Sequence, residues 1–177
     1  WERHTMKARL TAGLIHKAER GALALQLPTG LVRNGQGKVQ KIPNQEAQAR
    51  LSLVFETFLQ CRSASKVVEV FNTHALLLPR RDRFGDLVWK APRVAAVLSI
   101  LKHPAYAGAF TYGRSRTLRR EATQARPAII RLPQEQWRIC IPDVYPPYIR
   151  WDTYTQIQTM LTDNHAEYDR HKTRGIP

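Results

Sequence analysis

The stretch WKAPRVAAVLSILKHPAYAGAFTYGR, Trp89 to Arg114, decides the fold. It reads as a short helix, a stop and a strand. Pro92 suits the first helical turn, where its missing N–H costs nothing. Val94, Val97, Leu98 and Leu101 recur at helical spacing and make one apolar stripe along a helix from Pro92 to Lys102. Arg93, Ala95, Ala96, Ser99 and Lys102 form another face, small in its middle and basic at its ends. Such a face suits a nucleic-acid groove, and it equally suits the wet side of a core helix. Pro104 cannot continue the helix and steers His103 out of helical backbone. Tyr106 to Tyr112 then reads as a strand, with Gly108 at a point where another backbone comes close.

Upstream, Leu51, Val54, Phe55, Phe58 and Leu59 define the clearest core helix of the chain, with Asn44 as its cap and Glu46 suited to the helix dipole. Cys61-Arg62-Ser63 breaks it. Ser63 or Ser65 caps a second helix bearing Val67, Val68, Val70 and Phe71. Two helices joined by so short a turn suggest a helix-turn-helix-like pair, and the Pro92–Lys102 helix makes the cluster three. Two hairpins flank this core. Asn34-Gly35-Gln36-Gly37 separates two β-type segments, a hairpin signal. Leu76 to Trp89 forms the second, with Phe84-Gly85-Asp86 at its tip and Arg80, Arg81 and Arg83 in it, like a basic wing.

At the N-terminus, residues 1–22 read as a helix in which Met6, Leu10 and Leu14 repeat every fourth position and Gly21 marks the stop. Arg3, Lys7, Arg9, His16, Lys17 and Arg20 load it with positive charge against only Glu2 and Glu19. From Arg114 to Glu135 apolar periodicity disappears, which predicts a mobile basic loop. Trp137 to Ile141 alternates like a strand, and Trp151 to Asp169 is a closing helix with Tyr154, Ile157, Met160 or Leu161, and Tyr168 on one side.

The 177 residues carry a formal charge of +14, and 43% are hydrophobic, so a core is affordable and the surplus charge favours a polyanionic partner. No run of apolar residues is long enough to span a bilayer, and no long basic amphipathic helix suggests a membrane surface. Cys61 and Cys140 form no metal-binding spacing, and two free thiols suit a reducing cytoplasm, with Cys140 expected to be buried. No phosphate-binding glycine loop, zinc-protease helix, nucleophile elbow or cluster of acids is present. His171 to Arg174 matches an HxxR pattern, a match too loose to carry chemistry.

Several of these pieces resemble one family. The run His103-Pro104-Ala105-Tyr106-Ala107-Gly108, closing on Tyr112-Gly113-Arg114, resembles the signature of the recombinase domain of large serine recombinases. There it reads Asn-Pro-x-Tyr-x-Gly, then Tyr or Phe, then Gly-Arg; His103 stands where that family has Asn. Lys17 to Gly21 and Leu27-Pro28-Thr29-Gly30 resemble its entry segment. Phe55, Phe58, Ser63 and Ala64 resemble its helix pair, and Trp137, Pro147 to Ile149 and Gln158 its closing segment. These pieces occur in the family's order from about residue 7 to about residue 170.

The resemblance implies an α+β, mainly helical fold: a helix-turn-helix-like three-helix core with small β-hairpins, a long N-terminal helix before it and a C-terminal helix closing it. It divides the chain into the end of an inter-domain helix (1–22), the DNA-binding core (23–114), a mobile basic loop (115–136) and a closing strand and helix (137–177). Those recombinases, of phage-integrase or transposase type, cut both strands through a phosphoserine linkage, rotate subunits and religate. The catalytic serine domain would precede this stretch and a zinc-ribbon domain would follow it, so this stretch is expected to bind double-stranded DNA beside the crossover without being an enzyme itself and without a cofactor. The parent would assemble as a dimer or tetramer on DNA, this domain would bind as a monomer, and the setting would be a bacterial or phage-encoded protein in the cytoplasm.

The candidate DNA-binding residues are Arg3, Lys7, Lys17, Arg20, Arg33, Arg80, Arg81, Arg83, Arg93, Ser99, Lys102, Arg114 and Arg116. Phosphate contacts position such a domain, and base contacts specify its site; Arg93 and Ser99 are the candidates for base reading. Two other readings share the charge. One is a winged-helix transcription regulator. The other is a basic RNA-binding module in which Tyr106, Phe110 and Tyr112 stack on single-stranded bases, although the same aromatics suit a core.

Overall fold

A computed structural model describes residues 2–118 and 128–173. In chain order the elements are α1 (Glu2–Glu19), β1 (Leu31–Arg33), β2 (Val39–Lys41), α2 (Gln45–Cys61), α3 (Ala64–Thr73), β3 (Leu78–Arg81), β4 (Leu87–Lys90), α4 (Val94–Leu101), β5 (Phe110–Tyr112), β6 (Ser115–Leu118), β7 (Ala128–Arg131), β8 (Ile139–Ile141) and α5 (Trp151–Thr173). Short 3-10 helices span Pro104–Ala107 and Gln134–Gln136. All strands pair antiparallel and two by two: β1 with β2, β3 with β4, β5 with β8 and β6 with β7. The expected α+β, mainly helical class is the fold observed.

The chain divides into two compact units, one of residues 27–108 and 145–177, the other of residues 1–26 and 109–144. This division departs from the sequence-based partition at 22, 114 and 136. The reason is pairing: β5 bonds to β8 across the expected boundaries, with Phe110 opposite Ile141 and Tyr112 opposite Ile139.

In the larger unit, α2 is built as its sequence dictates. The Asn44 side chain accepts from the Ala47 amide at 2.8 Å, and Leu51, Val54, Phe55 and Phe58 are buried. The helix ends on Arg62 in left-handed backbone, φ 56°, with the Arg62 amide donating to the Phe58 carbonyl at 2.7 Å. A non-glycine residue there is strained by roughly 1–2 kcal/mol. The Asn164 amide of α5 donates to the Arg62 carbonyl at 2.6 Å and holds the turn. Ser63 then occupies the cap position of α3 without a side-chain bond, and Val67 and Phe71 point inward. With Leu78 of β3, Val97, Ile100 and Leu101 of α4, Tyr106, and Ile157 of α5, these side chains form one core.

The α4 boundaries and its buried face differ from the periodicity reading. Helical backbone starts at Val94, not Pro92, and Arg93 is an extended cap residue (φ −134°, ψ 146°). The buried side is Val97, Ile100 and Leu101, whereas Val94 is 38% exposed. The stripe is rotated toward Ile100 because α4 packs against α2, α3 and α5 rather than one flat partner. The expected strand from Tyr106 is also shorter. Pro104–Ala107 forms a 3-10 turn that His103 caps, its Nδ1 accepting from the Ala105 amide at 3.3 Å, so His103 does a capping Asn's work. Gly108 follows at φ 83°, and its carbonyl accepts from the Tyr145 amide at 2.9 Å, the close backbone approach that a glycine there predicted.

Three separated segments meet at Tyr106. Its buried hydroxyl donates to the Thr29 carbonyl at 2.6 Å. Its carbonyl accepts from the amides of Tyr148 and Ile149. The Tyr148 hydroxyl in turn donates to the Gly30 carbonyl at 2.7 Å. The rings of Phe55, His103 and Tyr148 all meet the Tyr106 ring edge-on, with centroids within 5.6, 5.9 and 5.6 Å. Gly30, at φ +97°, leaves no room for a side chain: an added Cβ would lie 2.3 Å from the Leu51 side chain and 2.9 Å from the Tyr148 hydroxyl.

In the smaller unit α1 ends in a glycine stop as expected. The Gly21 amide donates to Ala18 and the Ala22 amide to Lys17, a Schellman closure with Gly21 at φ +65°. Ala18 is buried, while Met6, Leu10 and Leu14 are exposed, so the four-residue repeat is not a core face. The segment 115–136, expected as a loop, instead contains β6 and β7, paired over Ser115–Arg131 to Leu118–Ala128. Period-two patterning is invisible there because Arg116, Thr117, Ile129 and Ile130 are exposed on both sides of the pair. Arg119, Arg120 and Arg126 of that segment lie outside the described residues. Cys140, expected to be buried, is exposed on the two-stranded β5–β8 ladder, and the partial burial of its thiol pushes its pKa up. No helix among the described residues is long and apolar enough to cross a membrane.

Two outcomes check this architecture. Phe58→Ala empties a fully buried site and should cost roughly 3–5 kcal/mol in denaturant unfolding. Burial raises the Tyr148 pKa to about 12, above the ordinary value of about 10 of an unfolded chain. The folded state therefore keeps a proton that the unfolded state releases. Tyr148 stabilises fully below about pH 10, and that stability falls between about pH 10 and 12. Stability-versus-pH curves should converge for Tyr148→Phe and parent as pH rises through that window.

Candidate nucleic-acid interface

α4 presents its outer side to solvent. Arg93, Ala95, Ser99 and Lys102 are all exposed, and Ala96 is half-buried. The eight helical residues Val94–Leu101 span roughly 12 Å of axis, with Arg93 and Lys102 as the residues that flank the helix. The middle of that face is bare of bulk, so its backbone can approach a partner closely, with a cation at each end. No side chain caps its N-terminus.

The β3–β4 hairpin distributes its arginines between two jobs. Arg81 is half-buried and donates through its guanidinium to the Leu31 carbonyl, tying β3 to β1. Arg80 is half-buried too, and both guanidinium groups act on the Tyr106 hydroxyl: burial and the neighbouring Tyr148 push its pKa well above the ordinary range, and these two cations pull it partly back. Arg83 is exposed at the tip, its guanidinium 4.7 Å from the centre of the Phe84 ring. That tip is rigid. The Asp82 carboxylate accepts from the amides of Phe84 and Asp86, which leaves Phe84 75% exposed.

On the other hairpin, Arg33 reaches the Gly37 carbonyl at 3.4 Å and bonds the Tyr145 hydroxyl, whose pKa burial raises and Arg33 lowers. In the smaller unit, Lys17 and Arg20 are exposed at the end of α1, Arg114 is half-buried, and Arg116 is exposed on β6. The side chains of Arg3 and Lys7 lie outside the described residues. Arg50–Glu46 at 3.3 Å and Arg150–Asp152 at 3.9 Å form ion pairs among the described residues; 28 Lys and Arg against 14 Asp and Glu leave the net surplus of +14 however the acids pair. No group of His, Cys, Asp and Glu among them is placed to hold a metal.

Comparison with known proteins matches this arrangement of elements. The family described as Recombinase matches residues 45–164, from the start of α2 to the outer part of α5. The chain belongs to the Recombinase family. The recombinase domain is also 38% identical over 167 residues to the uncharacterized protein y4bA/y4pH of Sinorhizobium fredii, covering 92% of this chain and 24% of that protein. The chain thus spans about a quarter of the length of that curated relative. A solved structure described as an LSR–DNA complex shares the fold with a TM-score of 0.57 at 13% identity, over 88% of this chain and 38% of that one. The recombinase-domain resemblance read from the sequence is therefore the family that matches.

The recombinase domain also contains contacts that charge counting missed. The Lys41 ammonium lies 4.7 Å from the Tyr148 ring centre, and Arg50 lies 5.8 Å from that of Trp89. Tyr154 and Gln158 of α5 reach the C-terminal carbonyls of α4. For Gln158 a signal existed, since it belongs to the closing segment that resembles the family. Of the aromatics named for an RNA-binding reading, Tyr106 and Phe110 are fully buried, Tyr106 on a 3-10 turn rather than a strand, and Tyr112 is half-buried at the end of β5.

Arg81 and Arg83 should therefore separate. Arg81→Ala removes a charged donor from the Leu31 carbonyl and should lower stability by roughly 1.5–3 kcal/mol. Arg83→Ala, at an exposed tip, should change stability by less than about 0.5 kcal/mol. Urea titrations of both variants measure the difference.

Proposed function

We propose that this recombinase domain binds double-stranded DNA and serves as the middle, site-recognising domain of a site-specific serine recombinase. The single observation that carries the reading is the outer face of α4, small in its middle and ended by the exposed cations Arg93 and Lys102, on a chain of charge +14. A B-DNA major groove is about 12 Å wide and admits one α-helix. A face built of Ala95 and Ser99 lets such a helix come close to base edges. The neighbour described as an LSR–DNA complex supports DNA as the polyanion.

In this reading the roles divide by chemistry. Arg93 and Ser99 read base edges. Arg83, Lys102, Lys17, Arg20 and Arg116 neutralise phosphates, and Arg80, Arg81 and Arg33 hold the hairpins in shape while lending field. Arg114, half-buried, belongs with the latter group. The α2–α3 pair acts as a helix-turn-helix-like support for α4. Cleavage and religation belong to a catalytic domain elsewhere in the parent protein, which acts as a dimer or tetramer on DNA in the cytoplasm; this domain binds as a monomer and needs no cofactor.

Two results test the reading together. If about five or six phosphates are neutralised, log K for a duplex should fall with log salt at a slope of about −5. Arg93→Ala should lose about 1–3 kcal/mol on a duplex the parent prefers and much less on a scrambled one, whereas Arg83→Ala should weaken both alike and lower the slope by about 1. Fluorescence anisotropy across a salt series reads both. A flat salt response, or equal losses for Arg93→Ala on both duplexes, defeats the assignment.

A further inference from the structure

We infer that Tyr154 and Gln158 of α5 are positioning residues that set the register and roll of α4, and so determine which DNA sequence the domain prefers. The inference rests on the DNA-binding reading of α4.

The C-terminal end of α4 is bonded in two ways. The Lys102 amide returns to the Leu98 carbonyl at 3.0 Å and the His103 amide to the Ile100 carbonyl at 3.1 Å, as a helix end does by itself. The next two carbonyls are reached from another element. The Gln158 side-chain amide donates to the Leu101 carbonyl at 2.9 Å, and the Tyr154 hydroxyl donates to the Lys102 carbonyl at 3.3 Å. Both donors are held by their own surroundings. Tyr154 is 2% exposed and stacks on Trp151 with centroids 5.0 Å apart. The Gln158 amide also lies 3.5 Å from the Tyr154 carbonyl one turn back. Ile157, between them in sequence, is fully buried in the core.

These bonds do what packing alone does not. Burial of Val97, Ile100 and Leu101 holds α4 against the core, yet apolar attraction is non-directional. A helix so held can make small rolls or slides at modest loss of buried area. Hydrogen bonds prefer nearly linear geometry and weaken steeply away from it, so two of them at adjacent carbonyls fix roll and rise together. At the other end no side chain caps α4, and Arg93 is exposed. The helix is therefore pinned by α5 at one end and carries its proposed base-reading residues at the other end and in the middle. Even a small roll moves Ser99 relative to a partner held against the outer face, while Val97, Ile100 and Leu101 stay in the core.

The test uses the full chain and two variants, Tyr154→Phe and Gln158→Met, alone and together. Each removes a donor and nearly conserves volume. The probes are a 20-bp duplex enriched by the parent from random sequence and its scrambled counterpart. The readouts are affinity for each duplex, the salt slope on the scrambled one, and the melting temperature. The double variant should lose about tenfold or more of its preference for the enriched duplex, a single displaced base contact, while scrambled-duplex affinity and salt slope stay those of the parent. A double variant that melts earlier yet keeps the parent's preference shows an ordinary structural bond and overturns the inference alone. A parent with no preference between the duplexes overturns the sequence-reading role of α4 and this inference with it. If the double variant does not fold, Tyr154→Phe, which deletes one oxygen, decides by the same ratio.

Discussion

Two tyrosine hydroxyls on consecutive carbonyls form the constraint on which this structure depends. Tyr106 holds Thr29 and Tyr148 holds Gly30. The backbone of Tyr106 binds residues 148 and 149 in return. A segment before the first hairpin, the turn after α4 and the loop before α5 are thereby joined at one point. Burial makes the arrangement strict. A hydroxyl with 2% exposure that lost its acceptor would be left with an unsatisfied donor, costing roughly 1–3 kcal/mol. Gly30 is required because the clamp and Leu51 fill the space where a Cβ would stand.

The clamp fixes the C-terminal flank of α4, and α5 fixes the helix end itself. The outer face of α4 takes no part in the core. One side of α4 is committed to Val97, Ile100 and Leu101. The other holds nothing that the fold needs, since Ala95, Ser99 and Lys102 are exposed. The arginines of the β3–β4 hairpin divide the same way: Arg81 closes a bond to Leu31, and Arg83 stands at the tip. Internal pairing could not absorb the cations in any case, because 28 Lys and Arg stand against 14 Asp and Glu.

Local chemistry was legible in the sequence. The Asn44 cap, the α2 stripe, both hairpins, the Gly21 stop and the helix from Trp151 follow from periodicity, capping and turn residues, which act over a few positions. The motifs that resemble the family were legible for the same reason, and Leu27 to Gly30, His103 to Gly108 and Pro147 to Ile149 turn out to be the three pieces of the tyrosine clamp. Charge was legible as a sum.

Tertiary structure alone decided the rest, because those decisions depend on partners distant in sequence. Periodicity placed the α4 stripe on Val94 and Leu98, but contact with three helices turned it toward Ile100. Three neighbouring arginines look alike in sequence, and only the carbonyl of Leu31, fifty positions away, separates Arg81 from Arg83. The β6–β7 pair has no alternating pattern because both its faces are exposed. Tyr106 reads as a strand aromatic until Thr29 supplies its acceptor 77 positions upstream. Residue types state which bonds are possible, and the fold decides which of them are made.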